Sequence, residues 1–374
     1  MLTWAHFGDL HVSEEDVWRS LAALRTLVSE ANRRLDDDID FVFLPGDNAN
    51  HGTVEQYARI AAVLAELKPQ VFLIPGDHDF EPKSLGPFYE GLGAQRLPLS
   101  VLIAGRRCLF LDIVSSGSGG PDFRLGASQT DWLAHELDLA DSDPNRPVVF
   151  MHAFPGDLAE GGEALARLLA DHRVACIDTG HTHYNELLND GGAIYTATRS
   201  TGQIEEGPMG FSLHAVDGSV VSWRFKPLGT PWPLVMITTP SDRRLVTDPA
   251  DCDHVPRGAF AVRAKMFGGA AESVALAVDG GFPVIMAPVV GEPGLWTATA
   301  GPLADGRHEI IVTARSGGEA HRDAIEIETR AATAPPERRL KPRGGDHVHT
   351  IGAWPQRGLL GTQLGPNKNG KIKW

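Results

Sequence analysis

Cysteine is scarce in this chain. Cys108, Cys176 and Cys252 are the only three in 374 residues. Their odd number and wide spacing exclude a disulfide framework and a zinc finger built on cysteine pairs. Long apolar runs are absent too, and none approaches the ~20 residues that a membrane-spanning helix needs. The N-terminus lacks a basic segment followed by an apolar one, so no secretory leader is expected. Basic residues are the minority, 34 Lys and Arg against 48 Asp and Glu, for a net charge of −14. That balance speaks against a general nucleic-acid binder, which carries a basic stripe. The expectation is a soluble, cytoplasmic protein with no membrane span.

Hydrophobic residues make up 42% of the chain, enough for ordinary globular cores, and the length suggests two or three domains. Five short apolar runs organise the first part. Val71-Phe72-Leu73-Ile74 leads through Pro75-Gly76 into Asp77-His78-Asp79. Leu2 to Phe7 leads into Gly8-Asp9-Leu10-His11, and Phe41 to Pro45 into Gly46-Asp47-Asn48. Pro147 to Met151 ends at His152. Val174 to Thr179 ends at Gly180-His181-Thr182-His183. Each run reads as a buried strand whose end delivers ionisable groups, and open α/β sheets bind ligands at strand carboxyl ends.

Between the first runs, helices are expected from a Ser13 cap to about Arg34 and from a Thr53 cap to Leu67. That alternation predicts a parallel sheet with right-handed crossovers. Further helices are expected from a Ser128 cap and from about Leu158 to Ala170. The glycine-rich loop 117–120 lacks the following helix and Lys of a phosphate loop, and reads as a flexible rim. Three regions are expected: a catalytic domain over 1–232, a small all-β domain over 233–331, and a basic tail over 332–374. The middle region has strand-like runs with turns such as Asp279-Gly280-Gly281, which suggests an immunoglobulin-like β-sandwich lacking the Cys…Trp…Cys signature. The tail carries +6 against −20 for the rest. It is expected to dock on its own acidic body, the alternative being that it caps a neighbouring subunit or the active site. A homo-oligomer through the β domain or tail is a further expectation.

Asp9, His11, Asp47, Asp77, His78, His152, His181 and His183 are the chemical candidates. Mixed imidazole and carboxylate donors suit zinc, manganese or iron better than calcium or magnesium. So many donors call for two ions, bridged by one carboxylate and roughly 3.5–4 Å apart, a clamp for displacement at phosphorus. His6, one strand position off the Asp9 pattern, is expected to pack. His51, His135 and His172 are expected at the surface, and His347-Val348-His349 in an exposed strand.

The ordered set Asp9-x-His11, Gly46-Asp47, Gly76-x-His78-Asp79, His152 and Gly180-His181-x-His183 resembles the calcineurin-like metallophosphoesterase superfamily. Gly126-x-x-Gln129-x-x-Trp132-Leu133 resembles its class III cyclic-nucleotide phosphodiesterase branch. The resemblance spans about residues 2–228 and implies a four-layer α-β-β-α sandwich. It implies Asp9, His11 and His183 on a first ion, Asp47 bridging, and Asp77, His152 and His181 on a second. His78 would donate a proton or hydrogen bond to substrate, oriented by Asp79. A metal-bridging hydroxide would attack phosphorus in line, making the chain a phosphodiesterase acting on a small phosphoester. The alternatives are a phosphomonoesterase of the same fold and a non-catalytic metal-binding scaffold. Asp77 stands where the family usually has Asn, adding a negative charge. His152-Ala153-Phe154-Pro155 replaces the usual His-His-Pro-Pro. Asn48 fits the family's variation and is expected to orient Asp47.

Overall fold

Alternation along the apolar runs decides the layers. In the strand Leu2–His6, Trp4 faces one way and Ala5 the other, and Phe41 and Phe43 alternate likewise with Val42 and Leu44 in Phe41–Leu44. The structure, a computed structural model, describes residues 1–114, 123–331 and 350–361. One sheet has the order Val220–Pro227, Gly210–Asp217, Leu2–His6, Phe41–Leu44, Val71–Leu73. The other runs Glu186–Asn189, Ile194–Ala197, Cys176–Thr179, Val148–Phe150, Arg106–Phe110, Leu99–Ile103. Trp4, Phe41, Phe43 and Phe72 from the first meet Phe110 and Phe150 from the second in one buried layer. The rings of Phe110 and Phe150 stack at 4.5 Å, and those of Phe72 and Phe110 at 4.8 Å. Each such side chain contributes about 1.5–3 kcal/mol on burial.

The opposite faces carry the helices. Leu21, Leu24 and Leu27 of Arg19–Arg34 and Tyr57 and Ile60 of Val54–Leu64 join the cluster of Val42 and Leu44. Leu133 and Leu137 of Ala127–Ala140 and Leu165 and Leu169 of Gly162–Asp171 belong to the same cluster, together with Leu109 and Val149 of the second sheet. The result is the four-layer α-β-β-α arrangement.

The sheets are mixed rather than wholly parallel. Leu2–His6, Phe41–Leu44 and Val71–Leu73 are parallel, but Gly210–Asp217 runs antiparallel to Leu2–His6. The first helix begins at Arg19, not near Ser13, because Val17 and Trp18 take positive φ. Asp16 supplies the cap, accepting from the backbone N–H groups of Arg19 and Ser20 at 2.9 and 2.7 Å. Residues 158–160 form a short strand beside Phe123–Arg124, so the next helix starts at Gly162. Ser128 caps nothing, because it already lies inside its helix. Thr53 does cap its helix, in a reciprocal arrangement with Gln56.

Beyond Leu234 the chain forms two four-stranded antiparallel sheets. Val262, Ala264, Val274, Leu276, Ile310, Val312 and Ile325 fill the space between them. Part of the expected tail is described and packed. Arg357, almost wholly buried, donates to the Trp223 carbonyl at 3.0 Å and pairs with Asp323, tying the first sheet to the sandwich. Gly358 accepts from Asn185 and Arg199, each at 2.9 Å. The loop 115–122, His347, His349 and the rest of the tail lie outside the described residues. Among those described, no helix is long and apolar enough to cross a membrane.

Candidate metal centre

Parallel strands end on one edge, so the turns after Leu2–His6, Phe41–Leu44, Val71–Leu73, Val148–Phe150 and Cys176–Thr179 converge. Glycine permits the approach. A Cβ on Gly76 would sit 2.2 Å from Oδ1 of Asp47, and one on Gly180 would sit 2.2 Å from Oδ1 of Asp9. The turns are also strained. His11, Asp47, His181 and His183 hold φ of 41°, 49°, 65° and 65°. Non-glycine residues there cost about 1–3 kcal/mol each and persist only where surrounding structure imposes them.

Two overlapping groups result, all buried. Asp9, His11, Asp47 and His183 form one, and Asp47, Asp77, His152 and His181 form the other, each with ligand atoms within 4.8 Å of one another. Asp47 belongs to both. Its Oδ2 lies 3.6 Å from Nε2 of His11 and 3.5 Å from Nε2 of His152. Its Oδ1 accepts from the His78 backbone N–H at 3.0 Å. All seven residues expected to bind metal are therefore brought together.

The donor set fits cations. Oδ1 of Asp9 is buried with no hydrogen-bond partner among the described residues, an expensive state for a carboxylate. Burial, with the charge of Asp47, pushes its pKa up to about 6. Nε2 of His11 and Nε2 of His183 face each other at 2.9 Å. Burial lowers His11 to about 4 and His183 well below its ordinary value, which favours neutral imidazoles with free lone pairs. The second group is polarised the other way. Burial opposes protonation of His152, yet Asp47 and Asp77 outweigh it and hold its pKa well above normal. Asp77 would be raised by burial and by Asp47, but His152 and His181, at 3.2 and 3.5 Å, bring it down to about 2. Nδ1 of His152 is 2.8 Å from the Pro45 carbonyl, which leaves Nε2 aimed at the centre.

His78 sits at the rim, outside both groups, with its Nδ1 2.7 Å from the Asn50 carbonyl. Asn50 therefore holds the ring, which corrects the expectation that Asp79 does so. Asp79 is a brace between turns. Its carboxylate accepts from the backbone N–H groups of Asn48, Ala49 and Gly76, from the Asn48 amide and from the Tyr57 hydroxyl, at 2.8–3.1 Å. Asn48 bonds to Asp79 and the Ile74 carbonyl, so its expected orientation of Asp47 is indirect. The Asn50 side chain also contacts Nδ1 of His11 at 3.2 Å and Nε2 of Gln203 at 3.0 Å. Neither Asn50 nor Gln203 stands out in the sequence, because no motif spacing marks them.

His6 does more than pack. With Asp178 and His214 it forms a third buried group between the sheets. Asp178 also accepts from Nε1 of Trp4 at 2.8 Å and from the Thr196 hydroxyl at 2.7 Å. Its partners come from three other strands, Leu2–His6, Ile194–Ala197 and Gly210–Asp217, so sequence spacing could not assemble them. His51, expected at the surface, is half-buried and lies between Glu81 and Glu15 at 2.7 and 3.3 Å. His172, also half-buried, pairs with Asp141, and His135 is exposed.

Comparison with known proteins agrees with this geometry. Residues 2–185 match the calcineurin-like phosphoesterase family. A probable cyclic nucleotide phosphodiesterase of Fibrobacter succinogenes is 25% identical over 164 residues, covering 41% of this chain and 58% of that protein. A glycerophosphodiester phosphodiesterase, GpdQ, of Enterobacter lignolyticus is 30% identical over 154 residues, covering 40% and 50%. The chain thus spans about half the length of the curated relatives it matches. A dimetal phosphatase from Danio rerio superposes with a TM-score of 0.52 at 17% identity, covering 60% of this chain and 96% of that one, a likeness of fold. Over residues 2–185 the chain carries a calcineurin-like metallophosphoesterase domain.

Proposed function

We propose that the chain is a metal-dependent phosphodiesterase holding two ions of the zinc, manganese or iron type. The observation that supports it best is the pair of buried donor groups sharing Asp47. Asp9, His11 and His183 would complete one ion's shell, and Asp77, His152 and His181 the other's. Two such cations supply Lewis acidity toward a phosphoryl oxygen and lower the pKa of water. The chain's own part is positioning and proton transfer. The His78 backbone N–H and the flanking imidazoles fix the Asp47 carboxylate. Burial lowers the His78 pKa, but Asp47, Asp77, Glu81 and the Asn50 carbonyl together raise it. With Nδ1 bonded to that carbonyl, Nε2 carries the proton that His78 donates to the departing oxygen.

The preference for a diester rests on charge. Asp9, Asp47 and Asp77 bring −3 to a centre that two divalent ions bring to +4. Asn at position 77 would leave +2, whereas Asp77 leaves +1. A monoanionic diester matches that better than a dianionic monoester. The phosphodiesterase names of the two curated relatives support the same reading.

The test is metal content beside hydrolysis of bis-p-nitrophenyl phosphate and p-nitrophenyl phosphate with added manganese, zinc or iron. Two ions per chain with faster diester turnover is the expected result. Faster monoester turnover would overturn the charge argument, and no hydrolysis of either with both ions bound would overturn the enzyme.

A further inference from the structure

One stretch of the sandwich is exposed in a way its composition does not suit. Residues 280–291, Gly-Gly-Phe-Pro-Val-Ile-Met-Ala-Pro-Val-Val-Gly, contain no charged and no hydrogen-bonding side chain. Phe282 is 98% exposed, Val290 99%, Ile285 70% and Val284 54%. The backbone beneath them is anchored. Val284–Ile285 pairs with Leu276 and Ala275 in one sheet, and Ala287–Pro288 with Thr297 and Trp296 in the other. Met286 between them is 2% exposed, with its N–H on the Val274 carbonyl at 2.9 Å. The segment is thus the outermost strand of both sheets. Ile285 lies opposite Ala275 in the register, Ala275 opposite Thr313, and Ala277 opposite Ile311. Small and apolar half-exposed residues therefore continue the patch.

We propose that this edge is the contact between two copies of the chain. Charge selects that occupant. Each copy carries a net −14, so two copies repel each other overall. A stretch of twelve uncharged residues lets like meet like without opposing charges. Asp279 and Glu292 flank it, which disfavours an anionic lipid surface. Area supports the same occupant. The four exposed side chains offer roughly 500 Å² of apolar surface, at the upper end for a lone monomer. A two-fold contact would bury about 1,000 Å² in total, the lower end for a specific interface, which predicts a reversible dimer. Pro283 and Pro288 lack backbone donors, so side-chain packing carries the contact rather than a continued ladder.

Sedimentation velocity of the full chain, from about 1 to about 100 μM, tests this. The wild type is expected to rise from the 40.3 kDa monomer toward twice that mass. Phe282→Asp combined with Val290→Asp is expected to weaken the dimer on the order of tenfold or more. Ile285→Ser should act the same way. Both variants should keep the wild-type thermal midpoint and the wild-type rate on bis-p-nitrophenyl phosphate, since the patch is no part of the metal centre. A wild type that stays monomeric throughout overturns the proposal. So do variants that dimerise as tightly as the wild type. A monomer that instead floats with phosphatidylcholine vesicles would assign the patch to a lipid surface.

Discussion

Replacing Asp79 separates a brace from a catalytic partner. Its carboxylate takes five hydrogen bonds, three from backbone N–H groups, one from the Asn48 amide and one from the Tyr57 hydroxyl. In Asp79→Ala the three backbone donors lose this acceptor in a fully buried site, the Asn48 amide keeps only the Ile74 carbonyl, and the Tyr57 hydroxyl only the residue-79 backbone carbonyl at 3.5 Å. Stranded buried donors cost about 1–3 kcal/mol each. Relaxation and entering water reduce the sum, so a loss of about 4–6 kcal/mol is expected, a large part of a typical stability. Asp79→Asn behaves differently. With its amide nitrogen at the Oδ1 side, the remaining oxygen keeps Asn48 N, Asn48 Nδ2 and Gly76 N. The Tyr57 hydroxyl can turn to accept, and only Ala49 N–H meets a donor. A loss of about 2 kcal/mol follows. Tyr57→Phe should cost about 1 kcal/mol by the same reasoning. Urea unfolding of the metal-free protein measures the series, with metal titration beside it. Weakened affinity for both ions should accompany the stability loss, because Asp79 joins the turns that carry Asp47 and Asp77. Wild-type stability and metal content in Asp79→Asn, with a rate loss like that of His78→Ala, would refute the brace.

Other perturbations divide the site further. Asp47→Ala should abolish binding at both positions, whereas His78→Ala should keep both ions and lose about 10²–10⁴ in rate. Equal metal loss in the two variants would collapse that distinction. Metal titration at two pH values probes the groups separately. Above roughly pH 6.5, His11 and His183 are neutral folded or unfolded, while the raised His152 and His181 hold protons in the metal-free fold. Their protonation stabilises the metal-free chain below the unfolded pKa, and that gain is lost as pH rises through the folded values. The Asp77 group should therefore release protons on loading and bind more weakly than the Asp9 group as pH falls from about 8 to 6.5. Calorimetry in buffers of different ionisation enthalpy counts those protons, and equal release at both groups would contradict the assignment. Gly180→Ala should expel the ion nearest Asp9, since its methyl would meet Oδ1 at 2.2 Å; a variant binding two ions normally would show that the turn yields. Asp77→Asn should lower affinity at its own group and raise monoester turnover relative to diester. An unchanged ratio would remove the charge argument.

Much of this site was legible in the linear chain. Apolar runs broken at Gly8, Gly46, Gly76 and Gly180 fix where strands stop, and period-two alternation fixes which faces are buried. A residue just past a strand end has nowhere to go but the sheet edge, so Asp9, Asp47, Asp77, His152 and the His181 pair could be grouped from order alone. The helix starting at Arg19 was less legible, because left-handed Val17 and Trp18 break a good apolar period. Tertiary structure alone decided what holds the cleft. Asn50 grips His78, Asp79 braces Asn48 and Gly76, and Asp178 gathers Trp4, His6, Thr196 and His214 from three other strands. Those bonds join residues up to 174 positions apart. Local propensity carries no signal at that range, since only the packing of two sheets sets which buried polar groups must satisfy one another.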